Sequence, residues 1–190
     1  LENLRQPLED GVVTVSRAQG TFTFPARFIL VASQNPCPCG YVGDPDRECV
    51  CTQVQIMKYK NKISGPIIDR IDLHVEVPRL AFEKLNQKEK AESSASIRDR
   101  VNQARSKQSA RLKEYGIFTN NEMTAQIVKD VCRLNSETQQ LIKQAVNSLH
   151  LSARSFHRIL KVSRTIADLE DSDEITSPHV AEALQYRPKT

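Results

Sequence analysis

Four of the five cysteines in this sequence fall within 15 positions, as two C-x-C pairs. Cys37 and Cys39 form the first pair, Cys49 and Cys51 form the second, and nine residues separate the pairs. Clustered cysteines in a chain without a secretion signal are typical of metal binding rather than disulfides. Four thiolates suit tetrahedral Zn²⁺ in a structural site, where no coordination position is left open for catalysis. Two disulfides or four free thiols are the alternatives.

Asn35 lies just before these cysteines, at the polar end of an uncharged run from Phe28 to Ala32. Large apolar and β-branched residues in such a run predict a buried strand of an α/β sheet. Polar residues at the carboxyl end of such a strand lie where α/β proteins bind ligands. An amide there can orient a water molecule and contact a phosphate. The alternative is an Asn that only begins a turn before Pro36.

Other chain elements are predicted around this segment. Leucines at helical spacing over residues 1–8 predict the end of a helix that Gly11 stops. Two alternating runs on either side of Arg17-Ala18-Gln19-Gly20 predict a hairpin with Arg17 at its tip. A short helix is predicted over Ile56 to Ile63, and a second strand over Leu73 to Val77. A charged and polar stretch at 86–93 predicts a linker between two domains, 1–85 and 94–190.

Everything after the linker has helical spacing. The predicted helices are 94–115, 123–132, 136–149, 153–169 and 179–186. Ser136 with Gln139 predicts a capping box, Ser152 predicts an N-cap, and Thr176 or Ser177 begins the last helix. Cys132 is predicted to be a core residue. On helix 153–169, a cationic stripe is predicted within about 60° of arc, with a solvated face as the alternative: Arg154, Arg158, Lys161 and Thr165.

The composition is that of a soluble globular protein, with 39% hydrophobic and 26% charged residues and a net charge of +4. No apolar run approaches the ~18 residues of a membrane span, so we expect a cytoplasmic protein without membrane contacts. The chain begins with Leu1 rather than Met, and we expect it to be part of a longer protein.

Six strings in this order resemble one family: LRQPLEDG, VVTVSRAQGTFTFPARF, ASQNPCPCGY, SGPIIDRIDLHVEV, LSARSFHRILKVSRTIADLE and HVAEALQYR. They resemble the carboxyl-terminal half of magnesium-chelatase-like AAA+ ATPases of the ComM and YifB type. The resemblance implies an α/β fold followed by an all-α region: the distal half of a nucleotide-binding domain with a hairpin insertion, then a helical lid. Ile67-Ile68 departs from the more usual Leu-Leu.

The resemblance assigns roles to three residues. Asn35 matches sensor 1, Arg70 matches the arginine finger, and Arg154 matches sensor 2 on the lid. An arginine finger stabilises charge on a phosphoryl group in a neighbouring subunit, so a homo-oligomer, a hexameric ring, is implied. Without the resemblance, Arg70 would be a surface residue paired with Asp69 or Asp72.

The resemblance also implies an ATP-driven DNA motor of the helicase or branch-migration type, active in natural transformation and recombination. Arg17 is similar to the basic hairpin residue of related helicases, which touches DNA phosphates of single-stranded or branched DNA. An ordinary solvated Arg is the alternative. No G-x-x-x-x-G-K-[ST] loop occurs in the sequence. The resemblance places that loop upstream, so ATP and Mg²⁺ serve the full-length enzyme and these 190 residues alone do not hydrolyse ATP.

Two other functions remain open. A magnesium-chelatase-type motor of the same family would remodel a protein partner instead of moving DNA. A non-enzymatic, zinc-containing interaction module comes from a different class of protein.

Overall fold

A computed structural model describes residues 2–78 and 91–188. The predicted hairpin is present, formed by β1 (Val12–Arg17) and β2 (Gly20–Pro25), which pair antiparallel with Arg17 opposite Gly20. The turn between the strands therefore consists of Ala18 and Gln19. The alternating apolar and polar residues satisfy the period of two that a strand requires. Most side chains of the hairpin are exposed on both faces.

A helix precedes the hairpin, as its leucine spacing predicts. A 3₁₀ turn (Glu2–Leu4) leads into α1 (Arg5–Asp10). Gly11 has a φ of +66°, and its N–H donates to the carbonyl oxygen of Pro7 at 3.0 Å. Glycine suits this left-handed backbone conformation, because a residue with a Cβ atom would be strained there.

The first half also contains α2 (Gln53–Lys60) and α3 (Gly65–Ile68). The cap of α2 is a reciprocal capping box, in which the Thr52 hydroxyl accepts from the Gln55 N–H and the Gln55 side chain accepts from the Thr52 N–H. The helix therefore begins three residues before the predicted start at Ile56.

The two predicted strands outside the hairpin are absent from the part of the chain that the structure describes. Residues 28–32 and 73–77 have no strand partner there. Ile29 and Val31 are 85% and 89% exposed, and Val75 is 67% exposed. The prediction of a buried strand was therefore wrong for this structure. The physical reason is that a strand is stable only when neighbouring strands satisfy its backbone groups and cover its faces.

The second half is helical, as predicted. The described residues form α4 (Ser94–Leu112), α5 (Ala125–Val131), α6 (Ser136–Ser148), α7 (Ala153–Leu169) and α8 (Ser177–Gln185). A 3₁₀ turn (Lys113–Tyr115) ends α4, and Gly116 follows it with a φ of +68°. The described first half thus combines α1 to α3 with a small two-stranded sheet. The described second half is all-α.

Helix caps in this half agree with the sequence at Ser152 and differ from it at Ser136. The Ser152 hydroxyl accepts from the Ser155 N–H at 3.2 Å, as an N-cap does. At α6 the cap is Asn135, whose side chain accepts from the Thr138 N–H at 2.9 Å. The predicted capping box of Ser136 and Gln139 was wrong, because Asn is at least as good a cap as Ser and lies one residue earlier.

His179 completes the cap of α8. Its Nδ1 accepts from the Thr176 N–H at 3.0 Å, and its Nε2 lies 2.9 Å from Glu170 Oε2. Because Nδ1 accepts, the Nε2–H of the neutral ring donates to the Glu170 carboxylate. The side chain takes the place that Glu or Gln has in an ordinary capping box.

The hydrophobic core lies among the five helices. It contains Leu112 and Val128, both fully buried, with Ile159 and Ile175 beside them. Cys132 is a core residue, as predicted, and burial raises the pKa of its thiol to about 11. Cys132, which lies far in sequence from the other four cysteines, therefore has a packing role.

A buried charged network fixes the end of α7. Both carboxylate oxygens of Asp168 accept from the Arg111 guanidinium at 2.7 Å. Arg164 Nε donates to Oδ1 at 3.1 Å, and Asn120 Nδ2 donates to Oδ2 at 2.9 Å. The Asp168 side chain is fully buried, so these donors supply the compensation that a buried carboxylate needs. They join α4 and the turn before α5 to α7.

The described residues divide into two compact units, 2–71 with 77–78, and 72–76 with 91–188. The expected linker at 86–93 lies largely outside the described residues, and the domain boundary therefore stays a prediction. Within the described ranges, none of the helices is long and apolar enough to cross a membrane.

Candidate functional site

The four clustered cysteines lie together with their sulfur atoms within 4.8 Å of one another. The Sγ of Cys37 is 3.4 Å from that of Cys39 and 3.7 Å from that of Cys49, and the Cys39 and Cys49 sulfurs are 3.5 Å apart. A tetrahedral zinc ion with Zn–S bonds of about 2.3 Å requires sulfurs about 3.8 Å apart. A disulfide requires about 2.05 Å. The cluster therefore has the dimensions of a metal site that could hold zinc.

Local hydrogen bonds shape the loop between the two cysteine pairs. The Gly40 N–H donates to the Cys37 carbonyl oxygen at 3.1 Å, which turns the chain after the first pair. Asp44 Oδ1 accepts from the N–H groups of Asp46 and Arg47 at 2.9 Å each, as aspartate does in turns. Arg47 also donates to the Tyr41 hydroxyl at 2.7 Å. These contacts bring Cys49 back to the first pair.

The pKa values of the clustered thiols differ from one another. The backbone N–H of Tyr41 donates to Cys39 and lowers the pKa of that thiol to about 6. For Cys49, the Cys51 N–H favours the thiolate, but desolvation and the neighbouring thiols oppose it and raise the pKa to about 12. Neighbouring thiolates repel one another, so full deprotonation of the cluster needs a cation among them. A bound divalent metal would supply that charge.

Asn35 is exposed and lies beside this loop. A Cβ built on Gly40 would come within 4.0 Å of the Asn35 Nδ2 atom. The cysteine loop therefore lies next to the amide that matches sensor 1, although the strand predicted to carry that amide is not formed.

Arg70 is held inside its own unit. It follows α3, and its Nη1 donates to the Pro66 carbonyl oxygen at 2.7 Å. Its Nη2 pairs with Glu9 Oε2, on α1. The Arg70 side chain is only 11% exposed. From the sequence, the expected partner of a structural Arg70 was Asp69 or Asp72. Glu9 could not be predicted, because residues 61 positions apart give no local signal.

Arg154 is exposed in the first turn of α7, directly after the Ser152 cap. The rest of the predicted cationic stripe is not a solvated face. Arg158 Nε lies 3.3 Å from Asp72 Oδ1, and Lys161 Nζ donates to the Asn121 carbonyl oxygen at 2.8 Å. Burial lowers the pKa of Lys161. Of the stripe, Arg154 alone is exposed, since Arg158, Lys161 and Thr165 are partly buried.

Arg17 is exposed at the end of β1 and flanks the two-residue turn. Phe22 and Phe24 on the partner strand are 54% and 55% exposed. The hairpin therefore presents one cation at its tip and aromatic side chains along its length. This combination can contact a phosphate backbone and stack on bases.

Among the predicted site residues, the structure brings together the four cysteines and Asn35. Arg17 and Arg70 have separate surroundings in the same unit, and Arg154 belongs to the helical unit. The sequence reasoning missed Glu9 as the partner of Arg70. It also missed a groove with Lys58 and Lys62 in its lining, on α2 and the turn after it. The signal for this groove is the string KYKNK, in a stretch without Asp or Glu from Cys49 to Ile68.

Sequence comparisons identify relatives over nearly the whole chain. The family described as "Magnesium chelatase, subunit ChlI" matches residues 1–85, and "Magnesium chelatase, subunit ChlI C-terminal" matches residues 91–187. The chain is 46% identical over 189 residues to "Competence protein ComM" of Haemophilus influenzae, and 40% identical over 189 residues to "Uncharacterized protein YifB" of Escherichia coli. Both alignments cover 98% of this chain and 36% of the relative. The chain therefore spans just over a third of the length of these relatives.

Proposed function

This chain belongs to the magnesium-chelatase-like family of the ComM and YifB type, and we propose that it is the distal part of an ATP-driven AAA+ motor acting on DNA. The observation that carries the proposal is its 46% identity to a competence protein across 98% of its length. Competence is the state in which bacteria take up DNA. A motor of this kind would promote branch migration as incoming DNA recombines.

Two residues are proposed to sense ATP. The Asn35 amide would orient the attacking water beside the γ-phosphate, since it can both donate and accept a hydrogen bond. Arg154 would reach the γ-phosphate of its own subunit from the first turn of α7. The phosphate-binding loop and the Mg²⁺ ligands are assigned to the part of the protein outside these 190 residues, because the relatives are much longer.

Arg70 is proposed to act on ATP bound by a neighbouring subunit, in a hexameric ring. Its guanidinium would then exchange the Glu9 carboxylate for the equatorial oxygens of the γ-phosphate. Both partners are anionic oxygens, so the exchange keeps the charge of Arg70 compensated throughout. Glu9 would hold the side chain ready in the absence of nucleotide.

The exposed apolar segments are consistent with a larger α/β domain. Residues 28–32 and 73–77 have the composition of buried strands but lack strand partners among the described residues. We infer that parallel strands from the rest of the protein pair with each of them. Burial of Ile29, Val31 and Val75 would then stabilise the domain by about 25 cal/mol per Å².

The cysteine cluster is proposed to hold a structural Zn²⁺. Cys37, Cys39, Cys49 and Cys51 would supply all four ligands, and the ion would neutralise their charge. The loop has few apolar residues to stabilise it, so metal binding would supply much of its folding free energy. Through Gly40 and Asn35, this loop would fix the position of the sensing amide.

DNA binding is assigned first to Arg17. Six copies around a ring would form a collar of positive charge that contacts phosphates without reading sequence. The family name favours a second candidate, a chelatase-type motor that remodels a protein partner. The cysteine cluster favours a third, a zinc-containing interaction module without enzyme activity.

One assay separates these functions. ATP hydrolysis by the intact protein is measured with and without branched DNA, together with strand exchange of a labelled four-way junction. We expect DNA to accelerate hydrolysis and ATP to drive strand exchange. A rate of ATP hydrolysis that is unchanged by DNA but raised by a protein partner would instead support the chelatase-type motor. A folded, zinc-loaded protein without any hydrolysis would support the interaction module.

A further inference from the structure

A shallow basic groove lies on α2 and the turn that follows it. It is lined by Val54, Met57, Lys58, Asn61 and Lys62. Val54 and Met57 are 73% and 62% exposed, although both are apolar. Residues 54, 58 and 61 recur at helical spacing, so the side chains share one face. Exposed large apolar side chains next to cations are typical of an interaction surface.

The charge of this groove is uncompensated among the residues that the structure describes. Lys58 and Lys62 are exposed, and neither forms an ion pair with a described residue. The stretch from Cys49 to Ile68 contains no Asp or Glu. Lys62 Nζ lies 5.9 Å from the centroid of the Tyr59 ring, a distance at which the ring attracts the ammonium group. The groove therefore carries the positive charge of Lys58 and Lys62, and none of its lining residues is acidic.

Part of this charge has a local explanation. Lysines in the last turn of a helix interact favourably with its dipole, and Lys58 and Lys60 both lie there in α2. That effect does not account for the exposed Val54 and Met57 beside Lys58. It also does not distinguish Lys58 from Lys60, which lies about 160° away around the helix and outside the groove.

We propose that this groove binds a single strand of nucleic acid, with Lys58 and Lys62 on successive phosphates and Val54 and Met57 against the bases or sugars. Charge complementarity identifies the occupant, since a polyanion with apolar faces matches both components of the surface. The inference rests on the proposed action on DNA and adds to it a second contact besides Arg17. The cysteine loop ends at Cys51, directly before the Thr52 cap of α2, so the metal site and the groove are adjacent in the chain.

The test is equilibrium binding of the intact protein to a fluorescent oligodeoxythymidine at several salt concentrations. Lys58→Gln with Lys62→Gln should weaken binding and reduce the slope of log K against log salt by about 1.4, at about 0.7 per phosphate contact on a single strand. The matched control, Lys129→Gln with Lys143→Gln, removes the same charge from exposed positions on α5 and α6. Lys60→Gln controls for charge on α2 itself. Neither control should change the slope.

A second variant tests the apolar component. Met57→Ser should weaken binding without changing the salt slope, because it removes no charge. An equal loss of DNA affinity in the groove variant (Lys58→Gln with Lys62→Gln) and in the control variant (Lys129→Gln with Lys143→Gln) would overturn the proposal. It would indicate only a general effect of net charge. Unchanged binding in the groove variants, with a loss in Arg17→Ala, would overturn the groove and leave the DNA motor intact. No binding by the unmodified protein would overturn both.

Discussion

Arg70 forms an ion pair with Glu9, a residue that lies 61 positions earlier on α1. The pair ties the residue that matches an arginine finger to a helix at the start of the chain. A finger that acts on a neighbouring subunit must leave this partner. A finger in trans would exchange this contact for a phosphate, whereas a purely structural Arg70 would keep it.

Arg70→Ala should lower ATP turnover of the intact protein by roughly 10³–10⁵-fold, the usual contribution of an arginine finger, and leave nucleotide binding nearly unchanged. Glu9→Gln should preserve turnover, because it removes the competing carboxylate and keeps the guanidinium. Turnover is followed by phosphate release and binding by a fluorescent nucleotide. Arg5→Ala, which removes an arginine paired with Glu2 in the same unit, is the control. If Arg70→Ala abolishes nucleotide binding as well as turnover, the trans role is wrong.

Arg17→Ala should weaken DNA binding and reduce the salt slope by about 0.7 on single strands, the value for one lost phosphate contact. The hairpin should remain folded, because the Arg17 side chain is exposed at its end. Binding is measured by fluorescence anisotropy, with Gln19→Ala in the same turn as control. An unchanged slope would remove the hairpin from the account of DNA binding.

The purified protein should contain about one zinc ion per chain, bound by four thiolates. Cys39→Ser should lose most of that metal, whereas Cys132→Ala should retain it, because Cys132 is buried in the helical core. Metal content is measured by mass spectrometry and thiol accessibility by a thiol-reactive dye. Chelation should make the loop thiols reactive and leave the helical unit folded. A folded protein with protected thiols and no metal would contradict the zinc site.

Asp168→Ala should destabilise the helical unit by about 3–5 kcal/mol, because it leaves the buried charge of Arg164 and the half-buried charge of Arg111 without their partner. Asp130→Ala, at an exposed position on α5, should change the stability by less than about 0.5 kcal/mol. Urea unfolding followed by circular dichroism measures both. A loss below about 1 kcal/mol for Asp168→Ala would mean that water replaces the missing carboxylate.

Local signals in the sequence predicted the helices and the hairpin well. Helix α7 runs from Ala153 to Leu169 as predicted, because Ser152 caps its start and a strong apolar face continues along the segment. The hairpin follows from alternation around a short turn. The cysteine spacing likewise predicted a four-sulfur cluster, since the ligands are close in the chain and the loop between them is short.

The sequence by itself determined the family, the helical half and the candidate residues for metal, phosphate and DNA chemistry. The tertiary structure decided three other features: Glu9 as the partner of Arg70, the burial of Asp168 among three donors, and the exposure of the segments 28–32 and 73–77. The physical reason is the range of the interactions. Caps, turns and C-x-C pairs join residues a few positions apart, whereas ion pairs and sheet neighbours join residues at any separation. At Phe28 to Ala32, local composition favoured a strand, and the absence of a pairing partner among the described residues left it unformed.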